Sequence, residues 1–132
     1  MMLAAGDWDG EIASAGTIHY GRTPKSEGSA TTVELTYFVA GVVLSPRSAK
    51  RKYPGVLTIF APTSTAKRNS AGSASDKGPA ILINLLVSRP QFSDLARCAE
   101  SGRLKAFHCT IAEMQDGYWE ISSWGLITEF GK

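Results

Sequence analysis

Residues 32–44 read TVELTYFVAGVVL, and this stretch decides the fold class. In its first half, apolar residues alternate with Glu34 and Thr36, which is the period of a half-exposed β-strand. From Phe38 onward, both alternating sets are apolar. A strand that is apolar on both faces is typical of the middle of a sheet. We therefore expect a long strand that is half exposed at its start and covered on both sides at its end.

Further strand patterns lie on both sides of this stretch. Residues 11–20 alternate like a half-exposed strand, and residues 56–61 and 80–88 are short apolar runs bounded by prolines, as core strands are. Residues 104–114 and 118–130 flank an Asp-Gly pair, which is the strongest short-range signal of a β-hairpin. A bulge near Gly125 would turn the apolar residues of both halves of the last strand inward.

One helix is predicted after residue 88. Ser88 and Gln91 have the spacing of a capping box, and Pro90 suits a first helical turn. Apolar residues then recur at helical spacing until Gly102, which stands where a glycine ends a helix. The sequence thus predicts six antiparallel strands in a sandwich or partly open barrel, with one short helix between strands four and five. A helix-on-sheet α+β fold is the alternative.

The length and composition fit a single domain over residues 1–132. The chain is 43% hydrophobic and 20% charged, which suits one globular core. Its apolar runs are far shorter than the ~20 residues of a membrane-spanning helix, and residues 1–10 do not resemble a secretory signal. Two cysteines are too few for a disulfide scaffold. We therefore expect a soluble cytoplasmic protein without a membrane partner.

The charges are distributed unevenly along the chain. The formal net charge is +2. Residues 45–78 hold seven Lys or Arg and one Asp, or +6, whereas the remainder holds seven basic and eleven acidic residues, or −4. The basic residues fall in two loops, 45–54 and 62–79. Such an asymmetry indicates an anion-binding surface, although charged loops also serve solubility alone.

If neighbouring strands are antiparallel, the two basic loops leave opposite ends of the domain, and the helix lies at the end of the 45–54 loop. Because the 62–79 loop has no large apolar side chain, we expect it to be flexible. The surface that we predict for an anion or a nucleic acid consists of Arg47, Lys50, Arg51, Lys52, Arg89 and Arg103, with Tyr53 placed to stack on a base.

Known catalytic and metal-binding motifs are missing from the sequence. Residues 72–78 (GSASDKG) lack the Gly-Lys-Ser/Thr order and the following helix of a phosphate-binding loop. His108 and Cys109 are adjacent on a strand, so their side chains point to opposite faces and cannot easily share a metal ion. Cys109 is expected in the core, and a disulfide with Cys98 is not expected in a reducing compartment. The sequence predicts no metal site and no cofactor.

Three functions stay open on the sequence alone. The first is a small non-catalytic binding or assembly module, expected to be a homo-oligomer with a tryptophan-bearing strand at the contact. The second is a single-stranded nucleic-acid-binding protein on an OB-like barrel, with nucleic acid or an acidic partner at the 45–54 loop. The third is an enzyme with a pocket around His19 or His108 beside a carboxylate. The first is preferred, because the sequence contains no recognisable catalytic motif.

Overall fold

Eight β-strands and one α-helix make up the described part of the chain. A computed structural model describes residues 3–14, 16–24, 32–61 and 71–128. In chain order the elements are β1 (Gly6–Ile12), β2 (Thr17–Pro24), β3 (Thr32–Pro46), β4 (Tyr53–Phe60), β5 (Gly72–Ser75), β6 (Ile81–Leu86), α1 (Arg89–Glu100), β7 (Leu104–Ile111) and β8 (Trp119–Thr128).

Seven of the strands close into a β-barrel. The hydrogen-bonded order is β1-β7-β8-β5-β6-β4-β3, and β3 pairs back onto β1. The predicted mainly-β class is confirmed, whereas the predicted count of six strands and the partly open wall are wrong. Closure pairs both edges of every strand in the ring, which removes the open edges that a sheet otherwise exposes.

The first additional strand comes from a break within residues 11–20, which the sequence predicts as one strand. β1 and β2 lie end to end along one edge of β3, but the register shifts by two residues between Ile12↔Val42 and Thr17↔Val39. Ser14 fills this break, because its hydroxyl accepts the backbone N–H of Gly41 at 3.0 Å. β2 therefore continues along β3 outside the ring.

The second additional strand is β5, which lies inside the predicted 62–79 loop. Its residues are all small or polar, so local propensity does not favour a strand. It pairs with β6 on one side and with β8 on the other. The rest of the predicted flexible loop, residues 62–70, lies outside the described residues. Because β5 carries the chain back along the barrel, β4 and β6 run parallel and not antiparallel as predicted.

α1 forms as predicted and covers one end of the barrel. The Ser88 hydroxyl accepts the Gln91 backbone N–H, and the Gln91 side chain accepts the Ser88 backbone N–H, which completes the capping box. Gly102 follows the helix with a φ of 72°. The buried residues of the helix join the barrel core; they are Phe92, Leu95 and Ala96.

The predicted hairpin between β7 and β8 is confirmed. Asp116 and Gly117 have φ angles of 52° and 74°, as both central residues of the favoured two-residue hairpin turn require. β8 also contains a bulge near Gly125, as predicted. One register shift lies between Thr110↔Ser123 and Ile111↔Ile121, so Ser122 is the extra residue, and the apolar residues on both sides of it pack against the core.

The inside of the barrel is filled with apolar side chains. Trp8 and Phe107 are at most 1% exposed, and the inward residues of β3, β4 and β6 are buried. Leu3 is buried at the end opposite α1, where its backbone N–H donates to Asp76. A partner must therefore bind the outside of the barrel. The helix of the described chain is too short and too polar to cross a membrane.

Candidate functional site

The basic loop, residues 47–52, connects β3 to β4 at one end of the barrel. The β5–β6 turn and the β7–β8 turn lie at the same end, and α1 lies at the other. The Arg47 backbone N–H donates to the Asp7 carbonyl at 3.0 Å, which anchors the loop to β1. Every side chain from residue 47 to residue 52 is exposed.

Arg47 is held by two aspartates of β1. Its Nε and Nη2 donate to the two carboxylate oxygens of Asp9 at 3.0 and 2.9 Å, and Nη1 lies 3.8 Å from Asp7. These hydrogen bonds lower the pKa of the Asp9 carboxyl, and slight burial opposes them. Arg47 therefore ties the loop to the barrel wall and is not the free cation that the sequence predicts.

Replacing Arg47 tests its pairing with Asp9, because the pKa of the Asp9 carboxyl should change. In Arg47→Gln, the pKa of Asp9 should rise toward its ordinary value of about 3.9. Because the folded-state pKa of Asp9 is lowered, the pair stabilises the fold above that ordinary value and loses its effect as the pH falls through the folded value. NMR titration of the Asp9 carboxyl measures the shift. Arg97→Gln, in α1, should leave the titration unchanged, and an Asp9 midpoint that is the same in wild type and Arg47→Gln contradicts the pairing.

Lys50, Arg51 and Lys52 differ from Arg47, because no side-chain hydrogen bond or ion pair holds them within the described residues. Their charges are available to an anion. Tyr53 follows them at the start of β4 and is half buried. Its ring lies 6.0 Å from that of Trp8 at a tilt of 42°. Tyr53 thus packs against the core, and stacking of a base on its exposed edge stays a prediction.

Arg89 and Arg103 do not join this surface. Arg89 is the first residue of α1 and Arg103 follows its end, so both lie at the end of the barrel opposite the basic loop. Since β4 spans eight residues, the two ends are roughly 25 Å apart at about 3.3 Å per residue. The prediction assumed that neighbouring strands are antiparallel, and the parallel pairing of β4 and β6 makes that placement wrong.

Of the second basic loop, only part is described. Lys67 and Arg68 lie outside the described residues, and Lys77 lies in the β5–β6 turn, at the same end as the basic loop. It lines a cleft of about 470 Å³ with Tyr118, which is 55% exposed. The acidic Asp116 belongs to the β7–β8 turn, across the barrel from β4 in the strand order.

The residues considered for catalysis or metal binding are dispersed over the described part of the chain. His108 is exposed on β7, cross-strand from Asp9 on one side and from Gly125 on the other, on the convex wall of the barrel. The side chain of His19 lies outside the described residues. Cys98 and Cys109 are both free thiols. Burial raises the pKa of the Cys109 thiol to about 12, so Cys109 is the unreactive core residue that the sequence predicts.

A second candidate surface is the outer face of β3, β4 and β6. It lies opposite the buried residues of these strands and is apolar, half buried and interrupted by Thr58 and Asn84. Leu82, on β6 at one side of this face, is 43% exposed. From residue 37 to 46 on β3, and throughout β4 and β6, the sequence contains no charged residue. The apolar residues of this outer face are Tyr37, Val39, Val43, Pro54, Val56, Phe60, Leu82 and Leu86.

The rest of the barrel wall has a different composition. β1 borders the outer face, since it pairs with β3 and sets Glu11 opposite Val43, and it carries Asp7, Asp9 and Glu11. Further round the barrel, β7 and β8 carry Lys105 and Glu120. Nothing in the described part of the chain packs over the outer face, since α1 lies at the barrel end. The segments outside the described residues have few side chains suited to cover it, and their large apolar residues are Met1, Met2 and Phe130.

The sequence shows the apolar pattern of the outer face, but the prediction drawn from that pattern is that the same chain covers both faces of β3. The apolar residues on both sides of the second half of β3 predicted a strand covered twice. The barrel core covers one side, where Phe38, Ala40 and Val42 are buried. The other side is the outer face, over which no described segment of the chain packs.

Comparison with protein-family models, with curated proteins and with solved structures finds no match to this chain.

Proposed function

We propose that this chain is a non-catalytic assembly module that associates with a second copy of itself through the outer face. The observation that carries the proposal is the outer face, whose strands carry no charged residue and on which Leu82 is 43% exposed. Monomeric proteins rarely expose contiguous apolar patches of this kind, and homodimer contacts are the most apolar class of protein interface.

Charge also favours a second copy as the partner. A partner that placed charged groups on the outer face would lose their hydration without gaining an ion pair. A partner face without charges avoids this cost, and each copy of the chain carries such a face. The self-complementary contact that results is the isologous interface of a twofold dimer.

Light scattering coupled to gel filtration tests the proposal. Wild-type protein should elute as a dimer at micromolar concentration. Leu82→Glu places a carboxylate on the outer face and should weaken the dimer by roughly 100-fold, or about 2.7 kcal/mol.

Ile127→Glu is the matched control, because Ile127 is 46% exposed but lies on β8, away from the outer face. It should leave the dimer intact. A wild-type monomer at tens of micromolar, or equal weakening by the two substitutions, excludes the outer face as the assembly surface. Circular dichroism shows whether both variants keep the fold.

A further inference from the structure

The basic loop shares its end of the barrel with an aromatic cleft. The cleft lies between the β5–β6 turn and the β7–β8 turn, where Tyr118 is exposed. We propose that this end of the barrel binds single-stranded nucleic acid, with phosphates on the basic loop and on Lys77 and with one unstacked base in the cleft beside Tyr118. One copy of the chain carries both parts of the site, so the site does not depend on the proposed self-association.

The parallel pairing of β4 and β6 places the basic loop beside the β5–β6 turn. Gly55, near the start of β4, lies beside Ile81, the first residue of β6. Because the two strands run in the same direction, the segments that lead into them enter the sheet side by side, about 5 Å apart. Arg51 precedes Gly55 by four residues, and Lys77 precedes Ile81 by four residues. The cations of the loop and Lys77 therefore form one basic patch.

The basic patch consists of Lys50, Arg51, Lys52 and Lys77, and its side chains are available to a ligand. All four are exposed, and within the described residues none of these side chains makes a hydrogen bond or an ion pair. Binding to phosphates therefore breaks no internal ion pair, and the release of counterions from the nucleic acid favours the contact. Arg47 adds nothing, because it is paired with Asp9.

The cleft beside the patch has the size and the lining of a site for a base. Its volume is about 470 Å³, within the roughly 300–1,000 Å³ of small-ligand pockets. Tyr118 is 55% exposed and Met114 is 42% exposed, and half-buried Trp119 packs against the core. Stacking on an aromatic ring is the usual way in which a protein holds an unpaired base. Lys77 also lines the cleft, so the patch and the cleft adjoin.

Carboxylates near the cleft restrict how a strand can lie across this end. Glu113 and Asp116 are exposed in the segment that joins β7 to β8, on the side of the cleft away from the basic loop. Asp76 also lines the cleft, and it accepts the Leu3 backbone N–H at 2.8 Å. Because carboxylates repel phosphates, the backbone of the strand should follow the basic patch, and only an uncharged base should enter the cleft.

The two features together favour a single strand over other polyanions. In a duplex the bases are paired and stacked inside the helix, so they cannot reach a cleft on the protein. Heparin and anionic phospholipid headgroups have no aromatic base to stack on a tyrosine. A single strand supplies both the phosphates for the patch and the free base for the cleft.

Fluorescence anisotropy with a labelled oligothymidylate of about 15 nucleotides measures the phosphate contacts. If all four cations of the patch contact phosphates, log K should fall with log salt at a slope of roughly −3. The loop variant, which combines Lys50→Ala, Arg51→Ala and Lys52→Ala, retains only the Lys77 contact. Its slope should be about −0.7.

A matched variant at the α1 end controls for the loss of net charge. It combines Arg97→Ala, Arg103→Ala and Lys105→Ala, which are three exposed cations in or beside α1. The variant has the same net charge as the loop variant and should keep the wild-type slope. Equal slopes for the two triple variants show that net charge alone attracts the strand, and they overturn the patch.

An abasic oligonucleotide of the same length tests the cleft. The wild type should bind oligothymidylate about tenfold more tightly than the abasic strand. Tyr118→Ala should lose this preference but keep the salt slope, because the phosphate contacts remain. Ile127→Ala removes an apolar side chain that is 46% exposed and lies outside the cleft, and it should keep the preference. If the wild type binds both strands equally, or if Tyr118→Ala keeps the preference, no base occupies the cleft and the proposal is wrong.

The remaining outcomes separate this site from the proposed assembly. A wild-type monomer that shows both the slope and the preference for bases supports the site and excludes the assembly. A wild-type dimer that binds no oligonucleotide at low salt overturns the site and leaves the assembly in place. If vesicles of anionic phospholipid bind the protein and the oligonucleotide does not, the patch contacts membranes, and the assignment to nucleic acid is overturned.

Discussion

Gly72→Ala should destabilise the protein by at least about 3 kcal/mol, although it adds a single methyl group. A Cβ atom at Gly72 would lie 2.1 Å from the backbone carbonyl oxygen of Asn84 and 3.2 Å from the Cα of Leu85. Both atoms are backbone, so no side chain can rotate away. The two strands must separate, and this pairing holds β5 against β6 within the barrel wall. Urea unfolding followed by circular dichroism measures the loss.

Gly78→Ala is the matched control, six residues further along the chain. A Cβ atom there has nothing within 4 Å, and the residue is exposed in the β5–β6 turn. Its effect should stay within about 0.5 kcal/mol. If Gly72→Ala unfolds at the same urea concentration as Gly78→Ala, β5 does not lie as close to β6 as the structure places it.

β5 also marks the limit of what the sequence could predict about the fold. The features predicted correctly are local: the strand β3, the capping box at Ser88 and the Asp116-Gly117 turn each follow from a pattern within a few residues. β5 has no local signal, since its four small or polar residues form a strand because β6 and β8 offer hydrogen bonds on both sides. Missing β5 also made β4 and β6 look antiparallel.

The candidate surface was also predicted only in part, because some of its contacts join residues that are far apart in the sequence. Composition alone located Lys50, Arg51 and Lys52 in an exposed basic loop. The pairing of Arg47 with Asp9 depends on the register between β1 and β3, where Asp9 lies opposite Ser45. That register joins residues 36 positions apart, and no local pattern specifies it. The predicted placement of Arg89 is wrong because it depended on the arrangement of the strands. That arrangement is also a property of the whole barrel.

Trp8→Ala should cost about 3 to 5 kcal/mol of folding stability, which is a large share of the roughly 5 to 15 kcal/mol that holds a domain of ordinary size together. Trp8 is 1% exposed, and its indole N–H donates to the Ala4 carbonyl at 2.9 Å. Truncation leaves a cavity and removes the donor from that carbonyl. The ring also packs against Tyr53, so the change should loosen the junction between the basic loop and β4.

Two further substitutions separate these contributions. Trp8→Phe keeps much of the apolar volume and loses the hydrogen bond, so it should cost less than Trp8→Ala. Tyr118→Ala removes an aromatic ring that is 55% exposed and should change the stability by no more than about 0.5 kcal/mol. Urea unfolding gives all three values. An equal cost for Trp8→Ala and Tyr118→Ala would place Trp8 outside the core, and the ring of Tyr53, where the basic loop joins β4, would then lack its rigid support.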